Sequence, residues 1–297
     1  MTTVKPMSFL MNCGDFMCAK KTKITDERDD DQDAVEAILA HVARYRLSTF
    51  AVMSRLPHFA GESPRHLRRL LRDSREAGLV TSAALHSGSR YWFLTPVGAT
   101  RCGLDESRSG PLSETAKLRA YALLLFCYLS DRPRHRLTAS ELSQQFSVLH
   151  RPGMPGTYYY DPTGKGSIGL ARIDAGHHGR WDRVVQSVQD DISLHRKLPG
   201  FRQLIKVHRF EITVLTVLPA KAERTVGVLK SLPEVKQVPV HVVAQPELLP
   251  LIHSSPGKEE NRNEKKIKRL PHHGFYRSRP RSKEKQRAVN LSHRRQN

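Results

Sequence analysis

Gly61-Glu62-Ser63-Pro64-Arg65-His66-Leu67-Arg68-Arg69-Leu70-Leu71-Arg72-Asp73-Ser74-Arg75-Glu76-Ala77-Gly78 reads as one helix with both ends marked. Ser63 is an N-cap, Pro64 takes the first helical position, and Gly78 is a natural C-terminal stop. At helical spacing Leu67, Leu70, Leu71 and Ser74 gather on one side, and Arg65, Arg68, Arg69 and Arg72 on the other. A helix anchored by leucines that holds four guanidinium groups outward suits phosphates or guanine edges, which arginine meets with paired N–H donors. The ordinary reading of a charge run is a solvated face. This one lacks the interspersed acids that such a face normally carries.

Working outward, Leu79 to Ala84 reads as a strand, His86-Ser87-Gly88-Ser89 as a polar turn, and Arg90 to Leu94 as the returning strand. Upstream, the acidic run Asp26 to Asp33 ends where Val35, Ile38, Leu39 and Val42 begin a helical stripe, with acids at its positive end. A short helix over Thr49 to Leu56 follows, stopped by Pro57. Helix, helix, basic helix and hairpin is the order of a winged helix. The phrase Ala77-Gly78-Leu79-Val80, with Tyr91-Trp92-Phe93-Leu94-Thr95-Pro96-Val97-Gly98, resembles the recognition-helix end, wing and closing strand of bacterial winged-helix DNA-binding domains over 33–104. That resemblance implies a third helix in the major groove and a wing on the backbone or minor groove. Ser63, Arg65, His66, Arg68, Arg69, Arg72, His86 and Arg90 would then be the DNA-contacting residues.

The rest of the chain agrees with an anionic partner. Across 297 residues, 49 Lys/Arg against 29 Asp/Glu leave a net charge of +20, which makes nucleic acid or an anionic membrane surface the first partners to consider. The longest apolar run, Tyr121 to Leu129, is about half of the roughly 20 residues a spanning helix needs and reads as a buried helix. The N-terminus lacks the apolar region and cleavage site of a secretory signal, so the cytoplasm, with nucleoid or plasmid association, is the expected location. Met7, Met11 and Met17 leave the true start open, and 1–32 is expected to be poorly ordered. Cys13, Cys18, Cys102 and Cys127 have no metal-ligand spacing and are expected to be reduced thiols.

After a linker at 105–112, the pattern over 113–252 is α/β. Helices are expected at Ser113 to Leu129 and Thr138 to Phe146, then a hairpin of Tyr158 to Asp161 and Ile168 to Asp174. A helix on the stripe Trp181, Val184, Val185, Val188 and Ile192 precedes a strand at Phe210 to Leu218, a helix at Lys221 to Leu229, a strand at Val238 to Val243 and a helix at Pro246 to Ile252. Such alternation requires at least one crossover. With Asp161 at the first turn and Asp174 ending the next strand, the order resembles a restriction-endonuclease-like core. A basic winged helix followed by that core resembles the replication-relaxation family of plasmids and mobile elements.

The resemblance implies DNA binding in replication, transfer or regulation, and it raises the question of cleavage. A Mg²⁺ nuclease of this kind needs a carboxylate cluster and a lysine. Asp161 and Asp174 are the candidate catalytic residues, with Glu211 or Asp182 as further acids. Where acid-x-Lys is expected the chain has Arg172-Ile173-Asp174, so the expectation leans to a non-catalytic domain with no cofactor, Mg²⁺ entering only if the chain is a divergent nuclease. His177-His178 beside Asp174 invites a metal reading, but adjacent loop histidines point in different directions, and no metal is expected. Gly164-Lys165-Gly166 reads as a tight turn. The last segment, 253–297, is apolar-poor; from Pro256 on it holds 14 Lys/Arg against 4 Asp/Glu and is expected to be a disordered basic tail. Duplex DNA, replication or transfer proteins and a second copy of the chain are the expected partners, and a membrane is not.

Overall fold

Helix α1 (Glu27–Tyr45) begins the part of the chain that the computed structural model describes: residues 27–253 except 131, 133, 152, 164, 165 and 175–180. The acidic run therefore lies largely inside α1 and not ahead of it. By its contacts the chain divides after Ser255, and the second unit, Pro256–Asn297, lies outside the described residues. Of the residues 1–32 expected to be poorly ordered, 27–32 are helical in α1, and 1–26 lie outside the described residues, as do Cys13 and Cys18, the Gly164-Lys165 turn and His177-His178.

The first sheet grows out of the quoted helix. α2 (Phe50–Met53) is capped by Thr49, and α3 (Pro64–Glu76) by Ser63, whose side chain accepts from the Arg65 N–H. Gly78, at φ 68°, turns the chain into β1 (Val80–His86), which pairs antiparallel with β2 (Ser89–Leu94) around a tight Ser87-Gly88 turn. Ser48, between α1 and α2, exchanges two backbone hydrogen bonds with Trp92 (2.8 and 3.0 Å) and adds a one-residue bridge to the sheet. Helix α4 (Pro96–Arg101) then closes on the α3–β1 turn so tightly that a Cβ at Gly98 would lie 2.0 Å from the Leu79 carbonyl oxygen. Leu67, Leu70 and Leu71 of α3 pack on Ile38, Leu39, Val42 and Met53, as the leucine spacing requires.

The second half is built on helix α5 (Glu114–Leu124), capped by Ser113 and continued by a π-helical turn, Leu125–Leu129. Its apolar residues have two sides to fill. Leu118, Ala122, Leu123 and Phe126 belong to one core with Leu85, Tyr91 and Phe93 from the first sheet and Tyr159, Ala171 and Leu215 from a second. Residues 105–112 are packed as well, with Gly110 N–H on Leu94 O and Leu112 N–H on the Tyr91 hydroxyl, so 33–104 and 113–252 sit within one unit.

The second sheet has the order β3-β4-β5-β6-β7, formed by β3 (His135–Arg136), β4 (Tyr158–Asp161), β5 (Ser167–Asp174), β6 (Phe210–Thr216) and β7 (Val240–Ala244). β3, β4 and β5 are antiparallel neighbours, while β5, β6 and β7 are parallel. The two parallel pairs require two crossovers, made by α7 (Trp181–Lys197) with α8 (Pro199–Lys206), and by α9 (Pro219–Lys230). Ile168, Leu170, Ile212 and Val214 face these helices, and α6 (Ala139–Gln145), held by a Thr138–Glu141 capping box, borders the same core. A final helix, α10 (Leu249–His253), packs Leu251 and Ile252 back on the α5 side; of the tail expected over 253–297, only His253 is described. The molecule is mixed α/β, and no helix among the described residues is long and apolar enough to cross a membrane.

Candidate nucleic-acid interface

The exposed face of α3 carries Arg65, Arg68, Arg69 and Arg72, and Arg75 extends it by one turn. Arg75 falls on the face because it stands three residues after Arg72 and seven after Arg68. The same spacing that picks out the other four would have found it. The buried leucines fix the helix, so the arginine stems start from a rigid base.

The face is less uniformly cationic than its sequence implies. Asp31, from the start of α1, receives both of its hydrogen bonds from Arg69 Nη2 (2.8 Å each), and its Oδ1 lies 3.3 Å from His66 Nε2. Glu62 Oε2 stands 3.8 Å from the other nitrogen of His66. Arg72 lies within ion-pair distance of Asp73 and Glu76. Acids do intersperse this face, then: Asp73 and Glu76 come from the helix itself, Glu62 from just before its cap, and Asp31 from α1, thirty-eight residues before Arg69. A notch of about 540 Å³, lined by Asp30, Asp31, Asp33, Glu62 and His66 among others, runs along the His66/Arg69 edge. No carboxylate among the described residues comes within ion-pair distance of Arg65, Arg68 or Arg75. The Arg68 guanidinium lies 5.2 Å from the centroid of the Phe50 ring of α2, a cation–π contact that holds the head group without neutralising its charge.

The hairpin expected to flank this helix is present and short. His86 and Ser89 are its last paired residues, and His86 Nδ1 lies 3.1 Å from the Ser87 carbonyl. Arg90 is exposed but held along the strand by Ser82, whose hydroxyl and carbonyl accept at 3.2 and 3.0 Å. Ser63 is exposed, with its hydroxyl engaged as the cap of α3.

The candidate catalytic pair is not assembled. Asp161 pairs with Ser167 at the start of β5, and Asp174 ends that strand seven residues on, about 23 Å away along an extended chain. They also face opposite sides of the sheet. Asp161 is buried on the α5 side beside Arg134 (3.3 Å) and accepts from the Thr163 N–H and hydroxyl. Asp174 pairs with Lys221 of α9 at 2.6 Å. One ion cannot touch both carboxylates. Arg172 stands on the α7–α9 side, bound through Nε and Nη2 to both oxygens of the buried Asp191, and so does not oppose a metal near Asp161.

Glu211 is the acid that shares the face of Asp161. Burial works to raise its carboxyl, but hydrogen bonds from His241 and Tyr159 outweigh this and hold it below the usual carboxylate range. Asp182 is exposed in the first turn of α7. No group of three or more metal-ligating side chains suited to an ion occurs among the described residues. Cys102 is half-buried; Cys127 is buried, and desolvation pushes its thiol up to about 12, so it is protonated and inert as a nucleophile.

Compared with protein-family models and with curated proteins, the sequence matches none.

Proposed function

We propose that the chain is a DNA-binding protein whose first half acts as a winged helix, with α3 in the major groove and the β1–β2 hairpin as its wing. The observation that carries the reading is the division of α3: leucines buried in the core on one side, and Arg65, Arg68 and Arg75 open on the other, without a carboxylate partner among the described residues. The Ser48–Trp92 bridge supports it, since it supplies the extra strand contact that braces a wing against the helices. We read such binding, on the resemblance to the replication-relaxation family, as part of the replication, transfer or regulation of a mobile element. The second half then serves as a nuclease-like body that works without cleavage, because its two candidate aspartates point to different sides of the sheet. Arg65 and Arg68 carry the main contacts, Arg72 and Arg75 extend them, and Arg69 and His66 are held in part by Asp31.

The test is titration of labelled duplex with the intact chain. Arg65→Glu with Arg68→Glu is expected to weaken binding at least about 100-fold, the cost of losing two contacts and adding two repulsions. A folded double variant that binds as tightly as the parent would reject the assignment.

A further inference from the structure

No acid occurs between Asp191 and Glu211, and the Lys/Arg of that stretch lie at the end of α7, along α8 and, as Arg209, just before β6. Arg196 and Lys197 close α7. Arg202 and Lys206, one turn apart on α8, are exposed on the same side of that helix. Arg202 Nε donates to the Arg196 carbonyl at 3.0 Å, which ties the α8 pair to the end of α7. The acids that bound the stretch are engaged elsewhere: Asp191 with Arg172, Glu211 with Tyr159 and His241. Among the described residues no carboxylate lies within ion-pair distance of Arg196, Lys197, Arg202 or Lys206. Arg196 is half-buried, and its Nε and Nη2 have no acceptor.

The dipole of α7 accounts for cations in its own last turn. The dipole of α8 accounts in the same way for Lys206, its last residue, but neither dipole gives a reason for Arg202 or for the lack of any acid to balance the four. α8 is also a firm support, because Phe201 and Ile205 are buried against Phe210 and Ile212. Phe201 and Ile205 are turned inward, and the exposed apolar side chains nearby, Leu194 of α7 and Val207 just after α8, are single residues and not the wide stripe of a membrane-binding amphipathic helix.

We propose that Arg202 and Lys206, with Lys197 and Arg196 beside them, form a second contact surface for the phosphate backbone of nucleic acid. It recognises charge and not base sequence, and it adds to the affinity supplied by α3. The proposal rests on the DNA-binding reading for its choice of partner, but it stands on different residues.

The experiment is a salt series of duplex binding by the intact chain, comparing the parent with Arg202→Gln/Lys206→Gln and with Arg65→Glu/Arg68→Glu. Thermal unfolding serves as the check that each variant is folded. Losing two phosphate contacts should lower affinity about tenfold on unrelated duplexes alike and reduce the log–log salt slope by about 1.8. Unchanged affinity and slope in a folded Arg202→Gln/Lys206→Gln variant would overturn the proposal, even if the α3 variant fails to bind. The converse, an effect of the α8 pair and none of the α3 pair, would remove the winged-helix reading and leave this surface standing. Absence of any duplex binding by the parent would overturn both. Vesicles of mixed phosphatidylserine and phosphatidylcholine form the last arm: vesicle binding lost in the α8 variant, with duplex affinity unchanged, would assign the surface to a membrane and overturn the proposal.

Discussion

Helices α3 and α8 both set cations at helical spacing above a buried apolar face, yet those cations keep different company. On α3, Arg69 is bound by Asp31, and Arg72 lies beside Asp73 and Glu76. On α8, no carboxylate among the described residues lies within ion-pair distance of Arg202 or Lys206. The helix with more arginines therefore has a neutralised edge, and the helix with fewer has none. Charge counted along a sequence overstates what a surface offers, because an acid far away in the chain can fold onto it.

The largest effect should come from the supports. Phe201→Ala is expected to cost about 3–5 kcal/mol and Leu71→Ala about 2–5 kcal/mol in denaturant unfolding, since each side chain is fully buried. A cost below about 1 kcal/mol at either site would mean that the helix concerned is loosely held, and the comparison of two firm surfaces would break.

The joint between the halves gives the next test. His41 of α1 is buried between Tyr45 and Tyr128, and desolvation, aided by the Arg44 charge, lowers its pKa to about 4. The folded state therefore holds His41 neutral while the unfolded chain takes up a proton near pH 6.5. Stability from this group is complete above pH 6.5 and falls as the pH drops toward about 4, by up to about 3 kcal/mol. His41→Phe should flatten that part of the stability–pH curve. If the variant keeps the full slope between pH 6.5 and 4, the acid sensitivity belongs to another group.

The smallest effect sharpens the contrast most. Asp31→Asn releases the edge of α3 that Arg69 and His66 occupy, and is expected to raise duplex affinity about threefold to tenfold and steepen the salt slope by about 0.9, one phosphate contact's worth. In an Arg69→Gln background the same change should have a smaller effect, because only His66 is then left for Asp31 to hold. An affinity that falls on Asp31→Asn would show that this pair positions α3 and does not mask it.

What could be read from the sequence was what a single turn of chain decides. Ser63-Pro64 at one end, Gly78 at the other and the leucine spacing between them fix α3 locally, and the capping box at Thr138 does the same for α6. α8 went unread because Pro199-Gly200 looks like a loop, although Pro199 is a helix-start residue and Phe201 and Ile205 share a face. The π turn that ends α5 has no such local mark. The Asp31–Arg69 pair and the Ser48–Trp92 bridge join residues 38 and 44 positions apart, and only the packed core brings them together. Asp161 and Asp174 teach the reverse lesson: thirteen residues apart across a hairpin, they look like neighbours, but strand register places them at opposite ends of β5 and on opposite faces.

The central claim is that α3 and its hairpin meet the DNA. Hydrogen exchange of the intact chain, with and without saturating duplex, tests it directly. Slowed exchange is expected over 63–77 and at the hairpin tip, 86–90, with α9 unchanged. Full duplex occupancy with exchange unaltered in both segments, and protection confined to other parts of the chain, would contradict it.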